Sequence, residues 1–394
     1  MRVLHTADWH LGRTLEGRSR LQEQAQFLDE LVDIVRDQQI DVVLMAGDVF
    51  DTFNPPAAAE EMFYETMARI ADYGKRSVAV ISGNHDSPDR IQAASSLANK
   101  HGITLIGRPE LAVHTIHVPR TTEVMKLAAL PYPSESRLKE VLSESNDELM
   151  LRNKYDEKIQ AIFSTMSESF ATDTVNIAMS HIFVAGGSST DSERPIEVGG
   201  AYTVLATSLP EQAQYVALGH LHRPQNIKRA RTAARYSGSP LAYSFSEANY
   251  AKSVTVLDVA PGETVKPDEV YLSSGKPLVT WKAKEGLLEV YRWLDEGRDK
   301  HAWIDLEIHL QDALTTEEIQ KLRKLHPGFI NIRPVFKQEF EEAVHTSRSN
   351  MPIDELFTRF YSKQSGGATP DRELVELFLK LVTEDEKEDE VERS

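Results

Sequence analysis

The sequence predicts an α/β protein whose largest part is a mainly parallel β-sheet with helices on its faces. Up to about residue 260, short apolar segments typical of buried strands alternate with longer amphipathic segments typical of helices. A shorter α/β series follows, and two amphipathic segments separated by glycine and proline come last. With 394 residues, the chain is longer than one hydrophobic core usually serves, so we expect more than one domain.

The first helices follow directly from the first strands. The strand "VLHTAD" leads into a segment in which apolar residues recur at helical spacing: Leu21, Leu28, Leu31, Val32 and Val35. The strand "DVVLMAGD" precedes "PPAAAEEMFYETMARIADYG", which predicts a helix that prolines start and a glycine ends. The strand "SVAVISGNHD" comes next. After a charged helical segment near 136–170, the strands "VNIAMSHI" and "YVALGHLH" follow.

Each of these five strands ends in side chains that can bind a metal ion. They are Asp8 and His10, Asp48 and Asp51, Asn84 with His85 and Asp86, His181, and His220 with His222. Ligand sites of α/β sheets form beyond the carboxyl ends of strands, so we expect these groups to meet at one edge. In an extended chain, residues two apart point to the same side, which predicts that the two residues of a D-x-H or H-x-H pair converge.

The donor types indicate the chemistry. Imidazole, carboxylate and amide oxygen suit Mn²⁺, Fe²⁺ or Zn²⁺, and the absence of cysteine excludes thiolate sites and disulfides. The candidate ligands outnumber the three or four of a single catalytic zinc. They fit two metals that share a carboxylate and clamp the oxygens of a phosphoryl transfer. Glycines before Asp48, Asn84 and His220 allow close approach of the backbone or a positive φ.

Composition restricts the partners. The formal net charge of −17 argues against wrapping nucleic acid electrostatically, although seven of the acids lie in the last eleven residues. Basic clusters at 13–20 and 228–235 serve either solubility or local binding. No apolar segment approaches the ~20 residues of a membrane span, and the N-terminus has no signal-peptide organisation. We therefore expect a cytoplasmic protein without a membrane partner.

The motifs "DWH", "GDVFD", "GNHD", "SH" and "GHLH", in this order, resemble those of calcineurin-like metallophosphoesterases. This resemblance implies a β-sandwich flanked by helices. The segments "HTADWHLG", "GDVFDTFNPP", "SERPIEVGG" and "RYSGSPLAYSFSE" are more specifically similar to the bacterial SbcD nuclease subunits. The similarity covers essentially the whole chain and is strongest in residues 1–250.

The resemblance also implies roles for the residues at the strand ends. Two metal ions, with Mn²⁺ as the expected ion, are each held by three residues and share Asp48. One set is Asp8, His10 and His222, and the other is Asn84, His181 and His220. His85 would stabilise the transition state or protonate the leaving oxygen, and Asp86 would orient the His85 imidazole. Asp51 either hydrogen-bonds a ligand histidine or caps the helix that follows.

The implied activity is that of a metal-dependent DNA nuclease subunit. It combines a double-strand exonuclease, 3′–5′ by family, with a single-strand endonuclease, and it opens hairpins in DNA repair, recombination and replication. The implied partner is an SbcC-type coiled-coil ATPase, in a heterotetramer that contains a homodimer of this chain at the nucleoid. One alternative is a phosphodiesterase or phosphatase for small nucleotides or phosphoproteins, which the acidic charge favours. A scaffold with structural metals is another, and the full ligand set opposes it.

Three domains are predicted. Residues 1–275 form the nuclease domain, and 276–345 form a β-α-β-α-β capping domain that, by resemblance, helps to place DNA. In "KEGLLEVYRWLDEG", Leu287, Leu288, Tyr291 and Leu294 are predicted on the packed side, and Thr315 with Glu318 predicts a capping box. Residues 350–394 hold two short amphipathic helices and the acidic tail. These helices either pack on the preceding domain or dock on a partner.

Overall fold

The computed structural model describes residues 1–138, 155–193, 202–310, 313–336, 352–364, 370–372 and 374–380. Met1–Phe336 form one compact unit, and the described residues from 352 onward belong to a second. Part of the predicted helical segment (139–154), most of "SERPIEVGG" and the acidic tail lie outside the described residues. No helix among the described residues combines the length and apolar character needed to cross a bilayer.

The first unit contains two six-stranded sheets. In the first, the strand order is β14-β13-β1-β4-β5-β6, with β1, β4, β5 and β6 parallel. Its strands are β1 (Arg2–Thr6), β4 (Val42–Ala46), β5 (Ser77–Ile81), β6 (Ile103–Ile106), β13 (Ser253–Asp258) and β14 (Asp268–Tyr271). A short hairpin, β2 (Thr14–Leu15) with β3 (Arg18–Ser19), precedes the first helix.

In the second sheet, the order is β11-β12-β10-β9-β8-β7, with β8, β9, β10 and β12 parallel. Its strands are β7 (Val113–His117), β8 (Val124–Leu130), β9 (Val175–His181), β10 (Tyr215–Gly219), β11 (Gln225–Asn226) and β12 (Ala233–Tyr236). The expectation of one sheet covered by helices on both faces is therefore wrong. The apolar strands are instead divided between two sheets.

The two sheets pack face to face, and helices cover only their outer faces. A central apolar core joins β1, β4 and β5 to β8, β9 and β10. The helices α1 (Leu21–Asp37) and α2 (Ala57–Ala71) cover the first sheet, and α5 (Tyr155–Ser167) covers the second. Two short helices, α3 (Pro88–Gln92) and α4 (Ser95–Ala98), precede β6. Because each central strand is buried on both faces, strands such as β4 are apolar throughout. This is the β-sandwich that the resemblance implied.

A three-stranded parallel sheet completes the first unit. Its elements follow the predicted order: β15 (Leu278–Ala283), α6 (Leu287–Asp295), β16 (Trp303–Leu310), α7 (Thr316–Leu325) and β17 (Phe329–Phe336). We call residues 276–336 the three-stranded unit. Its capping box between Thr315 and Glu318 is present. The packed side predicted for α6 is partly wrong, because Leu288 is 81% exposed and Val290 is buried instead.

The second unit is described as two helical segments, α8 (Ile353–Gln364) and residues 374–380. The rings of Phe357 and Phe378 stack with centroids 4.1 Å apart and planes 10° from parallel. The two segments therefore pack against each other through aromatic side chains. Apolar side chains of the pair also remain exposed, among them Ile353, Leu356, Phe360 and Leu377.

Candidate metal centre

The carboxyl ends of five strands from both sheets meet at one end of the sandwich. β1, β4 and β5 bring Asp8 and His10, Asp48, and Asn84 with His85 and Asp86. β9 and β10 bring His181, and His220 with His222. A direct link joins the sheets here, since His181 Nδ1 lies 2.9 Å from the carbonyl oxygen of Ala46 at the end of β4. The site thus lies between two sheets, whereas the sequence predicted the edge of one.

Several of these residues have left-handed backbone conformations. Asp8, His10, Asp48 and His220 have φ values of 55°, 46°, 52° and 109°. Non-glycine residues adopt this region rarely and at a cost, and such residues concentrate at functional sites. The predicted reason for the convergence of Asp8 and His10, alternation along an extended strand, is therefore wrong. Tight turns after the strand bring the two side chains together.

Two glycines permit the close packing of these turns. A Cβ atom on Gly83 would lie 2.1 Å from Asp48 Oδ1, and one on Gly219 would lie 1.9 Å from the carbonyl oxygen of Ala46. Both distances are far below van der Waals contact, and the second atom belongs to the backbone, so neither position has space for a side chain. The glycines before Asn84 and His220 are thus required for close approach, as the sequence predicted.

One half of the centre is formed by Asp8, His10 and His222. Their ligand atoms all lie within 4.8 Å of one another, and all three residues are buried. The backbone N–H of His220 donates to Asp8 Oδ1 at 2.9 Å, while the buried Oδ2 has no hydrogen-bond partner. A buried carboxylate oxygen without a partner is costly, which is expected of a ligand position for a cation.

The tautomers of this half also fit a cation. Ser192 Oγ donates to Glu247 Oε1, so it accepts a hydrogen from His222 Nδ1 at 2.5 Å. The Nε2 atom of His222 then carries a lone pair, and it lies 3.0 Å from His10 Nε2. His10 Nδ1 lies 3.5 Å from the Asp51 carboxylate, which favours the same tautomer for His10. Two lone pairs this close repel each other unless a cation binds both.

The other half is formed by Asn84, His181 and His220. Asn84 Oδ1 lies 2.9 Å from His181 Nε2 and 3.3 Å from His220 Nδ1. Because the Ala46 carbonyl can only accept, His181 Nδ1 carries the hydrogen and Nε2 faces the centre. The three side chains therefore present an amide oxygen and two ring nitrogens to one small volume.

Asp48 lies between the two halves. Its Oδ2 atom is 3.6 Å from His10 Nε2 and 3.4 Å from His181 Nε2. Its Oδ1 accepts the backbone N–H of His85 at 2.9 Å, which fixes the carboxylate in this position. The arrangement, with a carboxylate oxygen between two sets of donors, fits a dinuclear metal site.

Burial and charge determine the ionisation of these groups. Burial raises the pKa of Asp8 to about 6. Burial would lower the pKa of His181, but the adjacent Asp48 carboxylate raises it to about 9. Burial would raise the pKa of Asp48, but His181 and His10 hold it well below its usual range. Asp48 and His181 therefore favour each other's charged forms, and a cation bound at His181 Nε2 would take the place of the proton there.

The geometry corrects the expected roles of the residues beside the centre. His85 Nδ1 lies 2.7 Å from the carbonyl oxygen of Asp51, so a backbone carbonyl orients the imidazole. The Asp86 carboxylate, predicted to do this, instead accepts backbone N–H groups of Val49, Phe50 and Gly83. It buttresses the turns that carry Asp48 and Asn84. Asp51 does not cap α2, whose N-cap is Pro56; its carboxylate faces His10.

Further residues that support the centre were missed from the sequence. Glu247 is fully buried and accepts hydrogen bonds from Ser192 Oγ, the Tyr243 backbone N–H and the Lys252 ammonium. Glu193 Oε1 accepts the backbone N–H of His222 at 2.8 Å. Glu247 and Tyr243 lie in the quoted segment "RYSGSPLAYSFSE", but nothing in their spacing connects them to a metal ligand. Only the fold brings them to His222.

Comparisons with known proteins identify the family of this chain. The calcineurin-like phosphoesterase family matches residues 1–224, and a family described as the type 5 capsule protein repressor C-terminal domain matches 274–365. The D subunit of the nuclease SbcCD of Bacillus subtilis (strain 168) is 62% identical over 389 residues, which are 99% of this chain and 100% of that protein. Its counterpart in Staphylococcus epidermidis is 28% identical over 93% of this chain and 94% of its own length.

A third relative, the same nuclease component from Rhodobacter capsulatus, is 34% identical over 66% of this chain and 67% of its own length. The phosphoesterase match spans more than half of the chain, and the Bacillus subtilis protein aligns over nearly all of it. The metal-ligand cluster lies within the matched phosphoesterase region. The chain therefore belongs to the calcineurin-like phosphoesterases and, among them, to the SbcD family of nuclease subunits.

Proposed function

We propose that this chain hydrolyses DNA phosphodiester bonds at two divalent metal ions, with Mn²⁺ as the working ion. The observation that carries the proposal is the position of Asp48 Oδ2, 3.6 Å from His10 Nε2 and 3.4 Å from His181 Nε2. The buried and unpartnered Oδ2 of Asp8 adds to it. The ligands contain no thiolate, which fits Mn²⁺ as well as Fe²⁺ or Zn²⁺.

Each half of the centre would hold one ion. Asp8, His10 and His222 would hold the first, Asn84, His181 and His220 the second, and Asp48 both. Bound ions supply positive charge that activates a water molecule and stabilises the negative charge of the transition state. The protein fixes the imidazoles in the tautomers that present Nε2, through Ser192 for His222 and through Ala46 for His181.

His85 would exchange a proton with the leaving oxygen. Its Nδ1 hydrogen is committed to the Asp51 carbonyl, so Nε2 is the nitrogen left to take up or give a proton. Its ring lies 4.8 Å from that of His10, and the residue keeps 8% of its surface exposed, which supports a role beside the metals. A group in this role typically contributes a factor of about 10²–10⁴ in rate.

The substrate and partner are proposed from the named relatives. All three are named as the D subunit of the nuclease SbcCD. By that likeness this chain acts with a coiled-coil SbcC-type ATPase on double-stranded ends, hairpins and single strands, with 3′–5′ polarity. It does so as a homodimer within a heterotetramer at the nucleoid. The three-stranded unit would help to place DNA over the metals.

The second unit is the proposed docking site for the ATPase. α8 and residues 374–380 stack Phe357 on Phe378, and they keep apolar side chains exposed, including Phe360 at 61% and Leu377 at 54%. Such a face suits docking of a helix into an apolar groove of a partner. Deleting 350–394 should leave metal-dependent cutting of short single strands nearly intact and abolish co-purification with the coiled-coil subunit. Co-purification at the full-length yield would contradict this role.

The test of the function compares substrates with the same protein preparation. The full chain with Mn²⁺ should cut linear duplex and hairpin DNA, and EDTA should stop it. The alternative, an enzyme for small nucleotides or phosphoproteins, gains some support from the net charge of −17. It predicts rapid hydrolysis of a nucleotide or phosphopeptide and none of DNA. Absence of hydrolysis on every DNA form, with metals bound, would instead support a scaffold.

A further inference from the structure

We infer that the three-stranded unit supports one half of the metal centre through residues 241–248, which we call the coupling segment. Glu23 and Trp303 are then positioning residues, although neither belongs to the centre. This inference depends on the proposed two-metal site. The coupling segment packs on the three-stranded unit on one side and on His10 and His222 on the other.

The first side of the coupling segment is apolar. Ala242, Phe245 and Ala248 pack against a buried cluster that the hairpin and the three-stranded unit form together. The members of this cluster are Leu15, Leu278, Trp303 and Ile330. Three of these four residues come from the three-stranded unit. The position of the coupling segment therefore depends on how that unit is seated.

Glu23 fixes this contact with four hydrogen bonds from three parts of the chain. Oε1 accepts from Arg20 Nε at 2.6 Å and from Trp303 Nε1 at 2.9 Å. Oε2 accepts from Arg20 Nη2 at 2.9 Å and from the Lys276 backbone N–H at 2.6 Å. Glu23 is 4% exposed. A buried carboxylate with all of its donors in place resists displacement, because losing any donor leaves charge unpaired.

Arg20 extends the network to the coupling segment itself. It is 1% exposed, and its Nη1 donates to the Ala242 carbonyl at 2.9 Å. Its guanidinium lies 5.9 Å from the centre of the Tyr243 ring. Lys276 adds a contact within the three-stranded unit, with its ammonium 4.3 Å from the Trp303 ring centre.

The second side of the coupling segment touches metal ligands. The Tyr243 ring lies 5.5 Å from the His10 ring and 6.0 Å from the His222 ring, edge to face. The Tyr243 hydroxyl donates to the carbonyl of Trp9, the residue before His10. Glu247 lies at the end of the segment and holds His222 through Ser192. The coupling segment thus holds His10 and His222, two ligands of the first half, in position.

The ligands of the second half are held in position by other parts of the chain. His181 is fixed by the Ala46 carbonyl at the end of β4, and Asn84 bridges His181 and His220. These contacts lie among the central strands of the sandwich. Disturbing Glu23 or Trp303 is therefore expected to weaken binding in the Asp8/His10/His222 half and spare the other. Loss of a group that orients a ligand typically costs about 10–100-fold in metal affinity.

The test uses Mn²⁺ titration calorimetry on the full chain, so that its readout is affinity rather than catalysis. Trp303→Phe keeps an aromatic ring but removes the N–H that donates to Glu23. It is combined with Asn84→Ala, which leaves the Asp8/His10/His222 half complete. It is also combined with His222→Ala, which leaves the Asn84/His181/His220 half complete. We expect about 10-fold weaker Mn²⁺ binding in the first background and no change in the second. Glu23→Gln should show the same selectivity.

Val290→Ala is the matched control, because Val290 is fully buried inside the three-stranded unit and absent from the contact with the coupling segment. It should lower the melting temperature and leave both affinities unchanged. Equal Mn²⁺ affinity with and without Trp303→Phe in the Asn84→Ala background would overturn the inference. Equal weakening in both backgrounds would do the same. Failure of the unaltered chain to bind two ions would instead overturn the proposed function.

Discussion

Glu247→Gln is expected to destabilise the fold and loosen His222 together. Glu247 is fully buried and accepts hydrogen bonds through both oxygens, from Ser192 and the Tyr243 N–H on one side and from Lys252 on the other. Glutamine has a similar shape, but one end of its amide can only donate. In either orientation of the amide, its NH₂ group faces hydrogen-bond donors, and Lys252 loses its buried counter-charge.

The magnitude follows from these contacts. Removing one partner of a buried ion pair costs about 3–5 kcal/mol. Lys252 keeps two other acceptors, the His222 carbonyl at 3.1 Å and Ser239 Oγ at 2.9 Å, so we expect the lower end, about 3 kcal/mol. The Lys252 ammonium favours the amide oxygen of the introduced glutamine, so the amide NH₂ group faces Ser192, which loses its acceptor. Affinity for Mn²⁺ in the Asp8/His10/His222 half should therefore fall about 10–100-fold.

The pH dependence of this loss has a defined sign. Burial would raise the pKa of Glu247, but the Lys252 ammonium lowers it below the ordinary value of 4.5. A carboxyl with a lowered pKa in the folded state stabilises the fold above its unfolded pKa, and that stabilisation is lost as the pH falls. The difference in free energy of unfolding between Glu247→Gln and the unaltered chain should therefore be full at pH 7 and shrink below about pH 4.5.

Urea denaturation of EDTA-treated protein measures the stability, and calorimetric Mn²⁺ titration measures the affinity. Glu269→Gln is the matched control, since Glu269 on β14 pairs with the buried Arg235 on β12. It should lose stability without losing metal affinity. Unchanged Mn²⁺ affinity at both sites in Glu247→Gln would show that Glu247 does not hold His222 in place.

Three further predictions concern separate parts of the molecule. His85→Ala should keep both metals and lose about 10²–10⁴-fold in the rate of DNA hydrolysis, since the sugar oxygen that leaves needs a proton; a rate of DNA cutting equal to that of the unaltered chain would make His85 structural. Burial lowers the pKa of His5 from 6.5 to about 3, so the fold is destabilised as the pH falls below 6.5. Between pH 6.5 and pH 5, the free energy of unfolding measured in urea should fall by about 2 kcal/mol less in His5→Gln than in the unaltered chain, and an equal fall in both would contradict this. Thr315→Ala removes a helix cap and should cost about 1 kcal/mol of stability with unchanged nuclease activity; an unchanged melting temperature would show that the cap contributes nothing.

The ligand types and their places at strand ends could be read from the sequence. Strand ends are recognisable because apolar segments stop at a Gly, Ala or Ser followed by Asp, Asn or His. All of the proposed ligands, with His85 and Asp86, come together in the structure at the junction of the two sheets. Glycines at 83 and 219 could also be assigned to close approach, because a glycine directly before a ligand leaves room for neighbouring backbone that a Cβ atom would fill.

The division of the strands into two sheets could not be read from periodicity. A strand that is buried on both faces is apolar throughout, whether helices cover both faces or a second sheet covers one. The role of Asp86 was missed for a related reason. Adjacency to His85 suggested a side-chain contact, whereas tight turns direct the Asp86 carboxylate to the backbone N–H groups of Val49 and Phe50.

The contact between the coupling segment and the three-stranded unit is equally invisible in the sequence. Ile304, Leu306 and Ile308 alternate along β16 and pack inside the unit, as such a pattern predicts. Trp303, on the opposite face, is 8% exposed because it packs on a distant part of the chain. Contacts between residues as far apart as 23 and 303 are set by the fold and leave no local pattern.

We propose that Asp48 joins two metal ions in one site, and counting the metal ions bound with and without this carboxylate is the test. The unaltered chain and Asp48→Ala are equilibrated with Mn²⁺, passed through gel filtration and analysed by mass spectrometry for bound metal, with circular dichroism to confirm folding. We expect two ions per unaltered chain and almost none in Asp48→Ala, because Asp48 Oδ2 lies between His10 Nε2 and His181 Nε2. Two ions per chain in a folded Asp48→Ala protein would contradict it.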